Sequence, residues 1–113
     1  MDFNKRKLTD ADLIKLSTQF RYGVIGRTKS WGKCLLVTSP LYCYLKFLKV
    51  DCKMIEGYVT IGDNITNHYW ILLPDNRILD ATADQFNEVR EKQMPKVFVG
   101  EKPDWYMEKK KKR

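Results

Sequence analysis

A chain of 113 residues is the size of one domain built on a single hydrophobic core. Hydrophobic residues at 43% and charged residues at 31% exclude a globally disordered chain, and no apolar run is long enough to cross a bilayer. The net charge of +7 draws attention to polyanions, but Lys109 to Arg113 form one terminal run, and without those five cations the balance falls to +2. Such a run raises non-specific affinity for nucleic acid without making the folded body a reader of it.

Thr9 is the expected cap of a first helix, with Asp12 in the capping-box position, and Leu13, Leu16 and Phe20 recur at helical spacing. The helix is predicted over Ala11 to Phe20. Gly23, Gly26 and Gly32 then mark a loop carrying Arg27, Lys29 and Trp31. A second helical region starts near Lys33, with Leu41, Tyr44, Leu45 and Leu48 as its buried face. Pro40 either bends it or follows Ser39 as the cap of a new helix, since a proline inside a helix costs about 3 kcal/mol.

After Cys52 the period becomes that of strands. Met54 to Ile61 is one, ended by the turn Gly62-Asp63-Asn64. His68 to Leu73 is apolar on both faces and is expected at the centre of the sheet. Pro74-Asp75-Asn76 turns the chain into an antiparallel strand, Ile78 to Asp80. Asp80 to Phe86 suits one or two helical turns, and Lys96 to Val99 suits an edge strand. Trp105 and Tyr106 are expected to pin the C-terminus to the body. The fold class is α+β, with N-terminal helices packed on an antiparallel sheet, as one domain over 1–108 and a basic tail over 109–113.

The three cysteines are Cys34, Cys43 and Cys52. An odd count without a secretory signal argues for reduced thiols in a cytoplasmic protein, and a lone histidine offers no ordinary zinc set. No cofactor or metal is expected. Cys43 and Cys52 read as packing residues. Cys34 follows Gly32 at a helix start, where the dipole and unpaired N–H groups favour a thiolate and can hold an oxyanion. His68, the single histidine, is the one imidazole able to take the thiol proton and return it to a leaving group. Asp80 can fix the ring and steady its charge. The plainer alternatives are a packed thiol, a core histidine and an aspartate that only caps the segment after it.

Gly32-Lys33-Cys34, Asn67-His68-Tyr69-Trp70 and Asp80-Ala81-Thr82-Ala83-Asp84-Gln85-Phe86 together resemble the transglutaminase-like branch of the papain-like cysteine enzymes. The likeness runs from about Trp31 to Phe86 and is nearest to the small stand-alone bacterial and phage members, which lack the additional domains of the large transglutaminases and the long substrate-binding lobe of papain. It implies a papain-like core and a thioester at Cys34, with His68 and Asp80 completing a catalytic triad. The activity implied is that of a thiol protease, deamidase or transglutaminase acting on an amide or isopeptide bond of a protein or peptide. The glutamine that papain-type enzymes carry shortly before the nucleophile has no counterpart among Arg27, Thr28, Lys29 and Ser30. Trp31, Gly32 and Asn67 are therefore the candidates for oxyanion and substrate contacts, beside the backbone N–H of Cys34. Specificity is expected in the loops Gly23 to Ser30 and Gly62 to Asn67.

Strand alternation supplies a geometric condition. A two-residue turn at Asp75-Asn76 places Asp80 on the face opposite to His68, whereas a three-residue loop at Leu73-Pro74-Asp75 sets the two opposite each other on one face. A triad requires the wider turn or a bulge; otherwise Asp84 or Asn87 is the better orienting group. The rival functions are a non-catalytic binding or inhibitor protein on the same scaffold, and weak nucleic-acid binding through the tail.

Overall fold

The computed structural model describes residues 8–30, 32–89 and 93–109. The first helix, α1, spans Asp10–Ile25. Its start is the expected capping box: the Asp12 N–H donates to Thr9 Oγ1 at 3.1 Å and the Thr9 N–H donates to Asp12 Oδ2 at 3.0 Å. Its end is not where the apolar spacing stops. The inward stripe is Leu13, Ser17, Arg21 and Ile25, so the helix continues through Gly23 to Gly26, which caps it at φ 59°. The loop expected from Gly23 is correspondingly shorter.

The second helix, α2, spans Cys34–Phe47 and runs through Pro40 as one element, so Ser39 does not cap a new helix. Val37, Leu41 and Leu45 are fully buried along it, while Tyr44 is partly exposed. Cys43 is exposed, which corrects its assignment to packing: it lies on the far side of the helix from Leu41 and Leu45. Cys52 is buried as expected.

Five strands follow: β1 (Lys53–Ile61), β2 (Asn64–Leu72), β3 (Ile78–Asp80), β4 (Phe98–Gly100) and β5 (Tyr106–Glu108). They form one antiparallel sheet in the order β4-β3-β2-β1-β5, with β2 central. The β1–β2 hairpin closes through Gly62-Asp63, with Gly62 at φ 58°, where a left-handed residue matches the twist of the strands. β4 is the expected edge strand, beginning two residues later and ending one residue later than Lys96 to Val99. β5, which no sequence pattern marked, forms the other edge. Gly57 permits that pairing, because a Cβ there would strike the carbonyl of Met107 and the ring of Trp70. A 3₁₀ segment, Ala83–Val89, fills the connection after β3.

The two helices cover one face of the sheet, where Ile71, Leu73 and Leu79 pack with Leu13, Val37, Leu41 and Leu45. The other face carries the alternate residues of the same strands, and there Trp70 and Ile78 pack with Val59, Phe86 and Tyr106. No helix among the described residues is long and apolar enough to cross a membrane.

Candidate active site

The β2–β3 hairpin decides where Asp80 points. The Leu73 N–H donates to the carbonyl of Arg77 at 2.9 Å and the Asn76 N–H to that of Leu73 at 3.0 Å, which leaves a three-residue loop, Pro74-Asp75-Asn76. Proline stands at the second position of this turn, and Asn76 takes φ 69°, a left-handed conformation that asparagine tolerates. The loop is the wider one that a shared face requires, shifted by one residue from Leu73-Pro74-Asp75. With Ile71 paired to Leu79 and Leu72 to Ile78, Asp80 falls beside Trp70 and reaches His68 diagonally along the same face.

Asp80 and His68 are both fully buried, and His68 Nε2 lies 2.6 Å from Asp80 Oδ2. The same oxygen accepts the hydroxyl of Tyr106 at 2.5 Å, and Oδ1 accepts the N–H of Thr82 at 3.0 Å. Asp80 therefore holds the ring and caps the turn after β3 at once; the two readings of this residue are compatible. Burial disfavours its charge, but the charge and hydrogen bond of His68, with Tyr106 and Thr82, outweigh that and hold the carboxyl below its usual range. For His68, burial alone would lower the pKa. The charge and hydrogen bond of Asp80, with a further push from Cys34, overcome it and raise the ring to about 10. An imidazole in that setting keeps its proton at neutral pH.

Cys34 opens α2 and is 8% exposed. It is close enough to His68 to favour the protonated ring. The contact is not a closed hydrogen bond: Nδ1, the ring nitrogen that Asp80 leaves free, is buried without a partner of ordinary geometry among the described residues. Beyond Ile71, β3 no longer pairs with β2, so among the described residues no strand is paired to that side of β2 at His68. Lys33, the cap residue of α2, offers no side-chain hydrogen bond to the first turn, which leaves N–H groups there unsatisfied from within the helix. Gly32 is exposed at φ 72°, a left-handed conformation that glycine adopts without strain, with open space where a Cβ would stand.

A second network, which no sequence pattern announces, fixes the loop that leads to Cys34. Arg21 of α1 makes a two-pronged contact with Asp84, Nη1 to Oδ1 at 2.6 Å and Nη2 to Oδ2 at 2.9 Å. Ser30, also buried, donates to the same Oδ1 at 2.8 Å, and Arg21 Nη1 also reaches the carbonyl of Lys96 at 3.0 Å. Asp84 thus ties α1, the loop before α2 and the segment before β4 together, and is not an orienting group for His68. Asn87 likewise turns away, bonding the backbone of Met94. The two aspartates of Asp-Ala-Thr-Ala-Asp divide the work: one holds the imidazole, the other holds the approach to the thiol.

The remaining candidates separate. Asn67 is exposed on β2, and alternation turns it to the face opposite His68, outside the ring's hydrogen bonds. Trp31 lies outside the described residues, as do residues 110–113 of the tail. Lys109, the first residue of that run, is held to the body by Glu56 at 2.9 Å and over the ring of Tyr58 at 5.3 Å. Tyr106 is the expected anchor of the C-terminus, and the group it anchors on is Asp80. That buried hydroxyl could be foreseen only by knowing that β5 adds to β1. Compared with family models, curated proteins and solved structures, the chain matches none.

Proposed function

We propose that the protein is a cysteine-dependent acyl-transfer enzyme, hydrolase or transferase, working on an amide or isopeptide carbonyl through a thioester at Cys34. The observation that carries this reading is the buried His68–Asp80 pair at 2.6 Å with Cys34 acting on the same ring. A protonated imidazole beside a sulfur stabilises the thiolate. The thiolate attacks the carbonyl carbon, and the negative charge moves to the carbonyl oxygen, to which the uncapped first-turn N–H groups of α2 can donate. His68 then gives its proton to the departing nitrogen as the carbon–nitrogen bond breaks, leaving the acyl group on sulfur. Water or an amine, deprotonated by the now neutral His68, resolves the thioester. Asp80 keeps Nε2 of the ring engaged throughout, and Tyr106 acts as a positioning residue for Asp80. The papain-like or transglutaminase-like core implied by the sequence resemblance is part of this proposal.

A non-catalytic binding protein on the same scaffold is the second reading, favoured by the complete burial of His68 and the near burial of Cys34. An activated ester such as p-nitrophenyl acetate separates the two, since it makes little demand on a specificity pocket. The enzyme reading expects acetylation of Cys34 with release of nitrophenolate, followed by slow deacylation, all absent in Cys34→Ala. Equal nitrophenolate release from the wild type and Cys34→Ala would contradict it.

A further inference from the structure

The outer face of the helical layer takes no part in the chemistry above. Residues 13–50 hold seven Lys and Arg and no Asp or Glu, so they carry the whole +7, and the rest of the chain balances fourteen cations with fourteen acids. Arg21 and Lys29 are neutralised by Asp84 and Glu88. Lys15, Arg27, Lys46 and Lys49 are exposed and make no ion pair among the described residues.

The same layer is unusually apolar on its outside. Seven of the nine exposed large hydrophobic residues among those described lie on α1 and α2, Phe47 at 76% and Leu36 and Tyr22 at 59% among them. Leu16, Phe20 and Val24 form a second stripe on α1 beside the inward one. With Gly23 and Tyr44 they line an open hollow of about 450 Å³. The ring of Phe20 stands 5.3 Å from that of Tyr44, which stacks on Phe47 at 6.2 Å. Cys34 opens α2 and Tyr44 and Phe47 close it, so the hollow lies about 15 to 20 Å along the helix axis from the thiol.

We propose that this groove docks an amphipathic helix of a partner protein, one whose apolar face is flanked by Asp and Glu. A concave apolar hollow between two helices accepts side chains spaced one turn apart on a third. The segment that builds it, residues 13–50, carries unpaired cations and no acid, a balance that selects an acidic flank and repels a basic one. A second copy of this chain is a poor occupant, because it would set the same unpaired cations against one another. Duplex nucleic acid offers nothing apolar to Phe20 and Val24, and a lipid surface is met by a protruding ridge more readily than by a hollow.

The test uses the full chain and a designed helical peptide of about eighteen residues, long enough to hold a helix, with Leu and Phe on one face and Glu on both flanks. Amide resonances of Leu16, Phe20, Val24 and Tyr44 should move on titration, with a Kd below about 100 μM that weakens as salt rises. Val24→Asp, at an exposed site that leaves the helical circular-dichroism signal intact, should weaken binding at least tenfold, and so should the pair Lys46→Glu, Lys49→Glu. The proposal is overturned if a twin peptide with Lys in place of Glu binds as well, or if neither peptide moves these resonances by about 1 mM. It is equally overturned if phosphatidylserine vesicles alone move them, or if sedimentation shows a dimer that Val24→Asp abolishes.

Discussion

The two faces of the sheet solve the same burial problem with different chemistry. On the helix side the contact is mainly apolar, between Leu13, Val37, Leu41, Leu45, Ile71 and Leu79, although the inward faces of the two helices also bury Ser17, Arg21 and Thr38. On the other side, His68 and Asp80 project from neighbouring strands into a wall of aromatics: the His68 ring lies 5.3 Å from Phe86 and 5.7 Å from Tyr106, each edge-on, and Tyr106 is 5.1 Å from Trp70. A cavity on the first side loses packing in proportion to its size. A missing atom on the second leaves a charge or a donor stranded in a place water does not reach. The first face loses stability by degrees; the second loses it by stranding polar groups and, in our reading, is poised for chemistry.

Substitution on the two faces should break them differently. Asp80→Ala is expected to be the most damaging, at about 3 to 5 kcal/mol, because it strands both the imidazole and the Tyr106 hydroxyl in a buried site. Urea unfolding midpoints measure it, and a loss below about 1 kcal/mol would mean that water reaches the site. Leu45→Ala, at the far end of α2 from Cys34, should cost about 2 to 4 kcal/mol yet leave the alkylation rate of Cys34 unchanged with pH. A change in that profile would show that the faces are coupled. Tyr106→Phe keeps the ring and removes one hydrogen bond, at about 1 to 2 kcal/mol. Because the hydroxyl helps hold the Asp80 carboxyl ionised, this variant should also shift the pH profile of the thiol, which a purely structural role would not do.

Stability should also depend on pH. His68 is raised from 6.5 to about 10 on folding, so its contribution is complete below about pH 6.5 and drains away as pH climbs toward 10. Asp80 is lowered from 3.8, so its contribution is complete above that value and is lost as pH falls below it. The pair stabilises most between about pH 4 and 6.5, and unfolding free energies across this range should decline on the alkaline side. His68→Gln should flatten that decline.

What could be read from the chain follows the reach of each physical signal. The capping box at Thr9, the central position of β2 and the need for a wide β2–β3 turn are local or parity arguments, and each corresponds to an observed feature. The extension of α1 to Ile25 carries no such signal, because its inward stripe contains Ser17 and Arg21, and the burial of the arginine depends on Asp84, far along the chain. The apolar character of α2 points Cys43 inward, but the hydrophobic residues of that helix outnumber the positions it buries. That surplus is the same feature that leaves Phe47 and Leu36 in the open. Tyr106 is legible as an anchor without its target, since three residues of edge strand carry too little pattern to announce a partner on β1.

The central claim is that His68 makes the sulfur of Cys34 reactive, and the chain holds its own control in Cys43, an exposed cysteine near the other end of the same helix. The direct measurement is the rate of iodoacetamide alkylation at each cysteine, read by peptide mass spectrometry from about pH 5 to 9. The account predicts that Cys34 outpaces Cys43 below neutral pH despite its burial, and that this lead vanishes in His68→Ala. A Cys34 that reacts more slowly than Cys43 throughout, with no change when the histidine is removed, would contradict it.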